Sequence, residues 1–209
     1  MLNYCFILYS ISKILLNNFL AYRKLKNIKS KILNEALEIG ATEGVYNITA
    51  RKIAKNCDIS THTIYNHFLS MRDVIDSIAF NYDRKYMEDI KKVILEGYSK
   101  QEIFYHFLDI FIREKSNTLY YISYVHCYGF NPTSKNDRSK EFIPYAQYIF
   151  NDNLDDDTIM FLWDFIARIL FYYAEKIIKG FIPYDENYKN MMFNAITQGI
   201  NNFIKDNIK

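Results

Sequence analysis

The stretch that most constrains this chain is residues 48–68, which read ITARKIAKNCDISTHTIYNHF. Two short helical patterns flank a tight turn. Ile48, Ile53 and Ala54 give the first an inward face, and Ile64, Tyr65 and Phe68 give one to the second. Cys57 and Ile59 sit around the turn, where two crossing helices need small or branched apolar plugs. Thr49 and Ser60 stand where N-caps belong, because their hydroxyls accept orphan backbone N–H groups. Two helices set at a steep angle by so short a turn form a helix-turn-helix. The second of them is then free to enter a DNA major groove.

The rest of the chain is predicted to be helical. Half of its 209 residues are apolar, and only three prolines and six glycines interrupt it. Apolar spacing is mostly three or four, and few segments alternate as strands do, so the expected class is all-α. Charge is uneven. The first 72 residues hold ten Lys/Arg against four Asp/Glu, while the remainder holds sixteen against twenty. A basic head on an acidic body suits one part that meets phosphates and another that does not, although so modest an excess also arises by chance. Cys5, Cys57 and Cys127 are scattered, which excludes a disulfide framework and fits no zinc spacing. Reduced thiols in a cytoplasmic protein are the simplest account.

Residues 1–26 read as an N-terminal extension in which Tyr4, Ile7, Leu8, Ile11, Leu15, Phe19 and Tyr22 recur at helical spacing. An extra amphipathic helix is expected there. A signal peptide lacks its positive start and cleavage site, and Lys13, Asn17 and Asn18 break a membrane span, so no membrane partner is expected. An extension without a role is the remaining alternative. Residues 27–72 form the helix-turn-helix domain, with a first helix at 28–43 and the pair at 49–56 and 60–67. Residues 73–209 form the body. Its helices are expected from Met71 to Gly97, then at 101–116, 118–128, 140–151, 155–179 and 185–206. Asn131 to Asp137 is the clearest loop. Asp155, Asp156 and Asp157 open the long apolar helix; acids there complement the helix dipole, a better reading than a cation site.

No phosphate-cradling glycine loop, HExxH or nucleophile elbow is present, so neither catalytic residues nor a metal or cofactor are expected. Of the four histidines, His62 and His67 lie in the second helix of the pair, leaving His106 and His126 elsewhere. The body is dense in aromatics from Phe104 to Tyr128 and from Trp163 to Tyr173. Plain core packing accounts for most of them.

Residues 31–78 resemble the N-terminal domain of the TetR family of bacterial transcriptional regulators. The motif segments are Ile32-Leu33-Asn34-Glu35-Ala36-Leu37, Glu43-Gly44, Thr49 to Ala54, and Ile59 to Phe68. The chain departs from the family pattern with Asp58 in the turn, His62 early in the second helix, and Met71 where a lysine is common. Asp tolerates the left-handed turn conformation that glycine usually takes. The resemblance implies a homodimeric regulator, with repression the expected sign, on a near-palindromic double-stranded operator. Thr49, Arg51, Ser60, Thr61, His62, Thr63, Tyr65, Asn66, His67 and Arg72 are its expected DNA-binding residues. It also implies a small apolar or aromatic effector in the body, between the helix from Met71 and those at 118–128 and 158–178. Tyr124, His126, Trp163 and Arg168 combine apolar bulk with polar tips for that role, though Arg168 also stands one turn from Asp164. Dimerisation is expected through Phe161, Phe165 and Ile169 with Met192, Ile196, Ile200 and Phe203; both stripes could instead face the core of one chain. The alternative to a DNA-binding regulator is a co-activator or interaction protein of the same fold.

Overall fold

The computed structural model describes residues 27–129, 139–150 and 154–207; the expected helix at 1–26 and loop at 131–137 lie outside them. All regular structure among the described residues is helical. Helix α1 spans 27–43, and a single 3₁₀ turn, Val45–Asn47, leads to α2 (Ala50–Cys57) and α3 (Thr61–Tyr65). The body follows as α4 (Met71–Leu95), α5 (Lys100–Arg113), α6 (Lys115–Tyr128), α7 (Ser139–Ile149), α8 (Asp156–Ile178) and α9 (Glu186–Asn207).

The starts of these helices follow from local chemistry. Ser70 accepts the Asp73 N–H at the start of α4. Ser99 and Glu102 form a reciprocal capping box on α5. Asp155 accepts the Thr158 N–H at 2.9 Å, so the acidic run caps α8. Gly180, at φ 75°, then ends α8 in the left-handed conformation that costs glycine least. One boundary differs from the sequence pattern. The expected break between helices at residue 117 falls instead at Glu114, whose φ −94° and ψ 53° turn the chain sharply from α5 into α6.

Head and body share one continuous buried core. In the head it gathers Ile32, Ala36, Ile39, Val45, Ile53, Cys57, Ile64 and Phe68. It continues along α4, a 25-residue helix about 37 Å long, through Val74, Ile75, Ile78 and Ala79. The head seats on α6. Gly40 lies against the Tyr120 ring, so close that a Cβ there would meet ring carbons at 2.4 and 2.6 Å. The Tyr120 hydroxyl donates to the Ile75 carbonyl at 2.9 Å, and the Val45 N–H donates to Ser123 Oγ at 3.0 Å. Helices α5, α6 and α8 pack together as the centre of the body, with α7 against α4 and α8, and α9 against α5.

Candidate nucleic-acid interface

The helix-turn-helix forms as two capped helices joined by a left-handed turn. Thr49 Oγ1 accepts the Lys52 N–H at 3.3 Å, and Ser60 Oγ accepts the Thr63 N–H at 3.0 Å. Asp58 occupies the turn at φ 53°, ψ 51°, and its N–H returns to the Lys55 carbonyl at 3.3 Å. It is the only non-glycine residue with positive φ among those described. Ile53, Ala54, Cys57 and Ile64 are buried beneath the pair and fix the crossing of the two helices.

This arrangement turns a short polar edge outward. Thr61, His62, Tyr65 and Asn66 are all exposed on or beside α3, and Arg51 and Lys55 are exposed on α2. Tyr65, expected on the inward face with Ile64 and Phe68, instead turns outward with 51 % of its surface accessible, because Ile64 and Phe68 already fill the space beneath α3. Thr49 and Ser60 are exposed as well, but their hydroxyls already cap helices. Helix α3 is shorter than the pattern at 60–67 suggests. It ends at Tyr65, Asn66 is its C-cap, and His67 is half-buried in the turn with its N–H on the Ile64 carbonyl. Phe68 causes this, because its buried ring draws the chain back under the head. Thr63 is half-buried too, with its hydroxyl 2.9 Å from Ser60 Oγ, so it serves the cap rather than the outer face.

Arg72 does not join that edge. Its Nε donates to Asp76 Oδ1 at 2.7 Å, and its guanidinium lies 3.8 Å above the Tyr128 ring. Tyr124 completes the cluster by donating its hydroxyl to the same Asp76 oxygen at 2.9 Å. Burial, with the Asp76 bond second, pushes the Tyr124 hydroxyl up to about 12. Arg72 is thus a joint between the start of α4 and the end of α6. The Arg72–Asp76 spacing of four residues is legible in the sequence as a helix pair, whereas Tyr128 arrives only through folding.

In the body, the space expected to hold a pocket is filled. Between α4, α6 and α8 the rings of Tyr82 and Tyr121 lie 5.0 Å apart, Tyr121 and Phe171 5.3 Å, and Phe111 and Phe171 4.7 Å. A cavity of about 100 Å³ lies instead among α5, α8, α9 and the end of α7, lined by Ile103, Phe104, Phe107, Trp163, Ile166 and Phe193 among others. Of the four residues expected at an effector site, only Trp163 lines it. Tyr124 is buried in the joint just described, His126 is exposed, and Arg168 is exposed and paired with Asp164 at 2.8 Å. Among the described residues, no group of three His, Cys, Asp or Glu side chains is placed to hold a metal ion.

The two apolar stripes also part company. On α8, Phe161 and Phe165 remain 55 % and 46 % exposed, and Ile169 is half-buried. On α9, Met192 and Ile200 are buried within the chain itself, and Ile196 and Ile200 line the cavity. Met192 and Ile200 therefore face their own body, the alternative arrangement the sequence left open for these stripes. Phe203 alone reaches the outer stripe, its ring 5.6 Å from that of Phe161.

A capped helix-turn-helix head seated on an all-helical body is the class this architecture defines. Residues 32–78 match the family described as bacterial regulatory proteins, tetR family. It is similar to the HTH-type transcriptional regulator UidR of Escherichia coli strain K12, at 30 % identity over 84 residues, 40 % of this chain. That match spans 39 % of the length of the relative. Over the full architecture it resembles a TetR family transcription regulator from Marinobacter aquaeolei VT8. That likeness has TM-score 0.63 at 12 % identity and covers 84 % of this chain and 96 % of the other. It also resembles a gamma-butyrolactone receptor described as ArpA-like, with TM-score 0.56 at 12 % identity, covering 86 % and 98 %. At such identities these likenesses concern the fold alone. Among the described residues, no helix is long and apolar enough to cross a membrane.

Proposed function

We propose that this chain is a DNA-binding transcriptional regulator, a cytoplasmic repressor that acts as a homodimer on a near-palindromic operator and is released by a small apolar effector. The observation that carries the reading is the outward edge of α3. Both helix caps are formed, the turn is closed, and Thr61, His62, Tyr65 and Asn66 nonetheless point their polar groups to solvent. An edge of this kind does nothing for the stability of the head and is matched to base edges and phosphates. Arg51 and Lys55 flank it with positive charge, which supplies the salt-dependent, sequence-independent part of binding.

Asn66 is the residue best suited to read a base, since its amide pairs with adenine in two bonds. Tyr65 would contact a phosphate, with Thr61 and His62 beside Asn66 nearest the bases. Helix α8 supports the dimer, because Phe161 and Phe165 leave a ring surface that a second copy covers by two-fold symmetry. Half-sites are then about 34–36 Å apart or more, the spacing of successive major grooves on one side of DNA. The effector acts only by favouring one separation of the heads over another. The Arg72–Asp76–Tyr124–Tyr128 joint is the contact through which a shift of α6 would turn α4 and the head above it.

Selection of bound duplexes from a random pool tests the reading. A palindromic consensus is expected. Asn66→Ala should cost about 1–3 kcal/mol at one base position. Tyr65→Phe should weaken binding to every sequence alike. Failure to enrich any sequence, with no salt-dependent shift, would favour a protein-binding role for the same head.

A further inference from the structure

We propose that the cavity among α5, α7, α8 and α9 binds a slender aliphatic carboxylic acid, its chain along Trp163 and its carboxylate at Lys100. Three observations carry this. The first is size. A volume of about 100 Å³ is below the roughly 150 Å³ that accepts a benzene ring, and far below the ~300–1,000 Å³ of sites for larger ligands. That volume holds a small ligand, such as a short alkyl chain, with any longer chain extending out through the open mouth. The second is lining. The walls are chiefly apolar, with Ile103, Phe104, Phe107, Ile166, Leu170 and Phe193, and the polar side chains are few: Lys100, Thr197, Asn201 and the Trp163 indole.

The third is charge at the mouth. Among the described residues, Lys100 is the only ionisable one lining the cavity, and it is exposed, as is Asn201 on the facing helix. Its ammonium donates to the Phe150 carbonyl at a long 3.4 Å, a weak bond that a carboxylate replaces with a charge-assisted one. The nearest acid in sequence, Glu102, does not compete, because its carboxylate accepts the Ser99 N–H and hydroxyl at 2.8 and 2.7 Å. Thr197, beside Asn201 on α9, adds a hydroxyl at the same rim. The aromatic packing between α4, α6 and α8 excludes the ligand from the middle of the body. Occupancy is therefore read by α5, α8 and α9, the last two of which bear on the exposed ring stripe.

The regulatory meaning of the site rests on the function proposed above, but binding itself does not, and it can be measured without DNA. Trp163 is the only tryptophan of the chain, so its emission reports this cavity alone. The full chain is titrated with butyrate, hexanoate, octanoate, octanol and benzoate. Saturable changes in Trp163 emission are expected for the aliphatic acids. Each added methylene should tighten binding roughly three- to fourfold until the cavity is full. Lys100→Ala, at an exposed position that leaves the fold intact, should weaken octanoate about two- to fivefold, as befits a partly exposed ion pair, and leave octanol unchanged. Ile196→Phe should fill the cavity and abolish the response, with helicity checking that the variant folds; should it not fold, the Lys100→Ala comparison decides. Absence of any saturable change overturns the site. Benzoate binding more tightly than octanoate overturns the aliphatic class, and octanoate insensitive to Lys100→Ala overturns the carboxylate. A chain that binds octanoate as expected but enriches no DNA sequence would refute the regulator and leave this inference standing.

Discussion

Replacing Gly40 by alanine tests the seat of the head on the body. In an ordinary helix this change is favourable by about 0.5–1 kcal/mol, because it lowers the entropy of the unfolded chain. Here the added methyl meets Tyr120 Cδ2 at 2.4 Å and Cε2 at 2.6 Å, and Ile48 Cδ1 at 3.1 Å. The Tyr120 ring cannot yield: it is fully buried, and its hydroxyl is tied to the Ile75 carbonyl on α4. Overpacking of a closed core costs about 1–3 kcal/mol. The clash therefore wins, and Gly40→Ala should destabilise by about 1–2 kcal/mol. For a chain of this size that lowers Tm by roughly 2–8 °C. The decisive assay is a double-mutant cycle by thermal melting. In a Tyr120→Leu background, where the ring is gone, Gly40→Ala should stabilise by about 0.5–1 kcal/mol, giving a coupling near 2 kcal/mol. A rise in Tm for Gly40→Ala alone would refute the close contact between α1 and α6.

Other outcomes follow from the same geometry. Burial raises the pKa of the hydroxyls of Tyr82, Tyr86, Tyr120, Tyr121 and Tyr124 and so opposes their ionisation. Their folded pKa values exceed the unfolded value of about 10, so stability is intact below pH ~10 and falls as pH rises, by up to about 1.4 kcal/mol per unit for each group. Helicity should collapse near pH ~11–12 together with a late rise in tyrosinate absorbance; full tyrosine ionisation with helicity retained would contradict the buried cluster. Asp58→Val, which forces a branched residue to φ 53°, should cost about 1–2 kcal/mol, whereas Asp58→Gly should be neutral or stabilising in denaturant melts. Phe161→Glu with Phe165→Glu should yield folded monomers by sedimentation, while a dimer that survives both changes places the interface elsewhere. Arg72→Ala should weaken operator binding without lowering its salt slope, since Arg72 holds Asp76 and Tyr128 rather than a phosphate; loss of about one unit of slope would restore it to the DNA face.

Most helices were legible in the sequence from local chemistry. Thr49, Ser60 and Asp155 announce helix starts because a cap needs only a side chain and the backbone three residues on. Asp58 marks the turn because few residues tolerate positive φ, and the motif around it identifies the head. The exposed polar edge at Thr61, His62 and Asn66 follows once Ile64 and Phe68 are set inward by the helical period. Tertiary structure alone decided where the stripes and charges are used. Phe161 on α8 and Met192 on α9 recur at the same spacing, yet one meets solvent and the other its own core, because periodicity names a face and never the neighbour it meets. Arg72 stands with the expected DNA-binding residues by its place in the motif, while only folding brings Tyr128, remote in sequence, under its guanidinium. The same holds for the cavity. Aromatic richness shows that rings are buried, but whether Tyr82, Tyr121 and Phe171 close one space while Trp163 leaves another open depends on how α5, α6, α8 and α9 pack side by side.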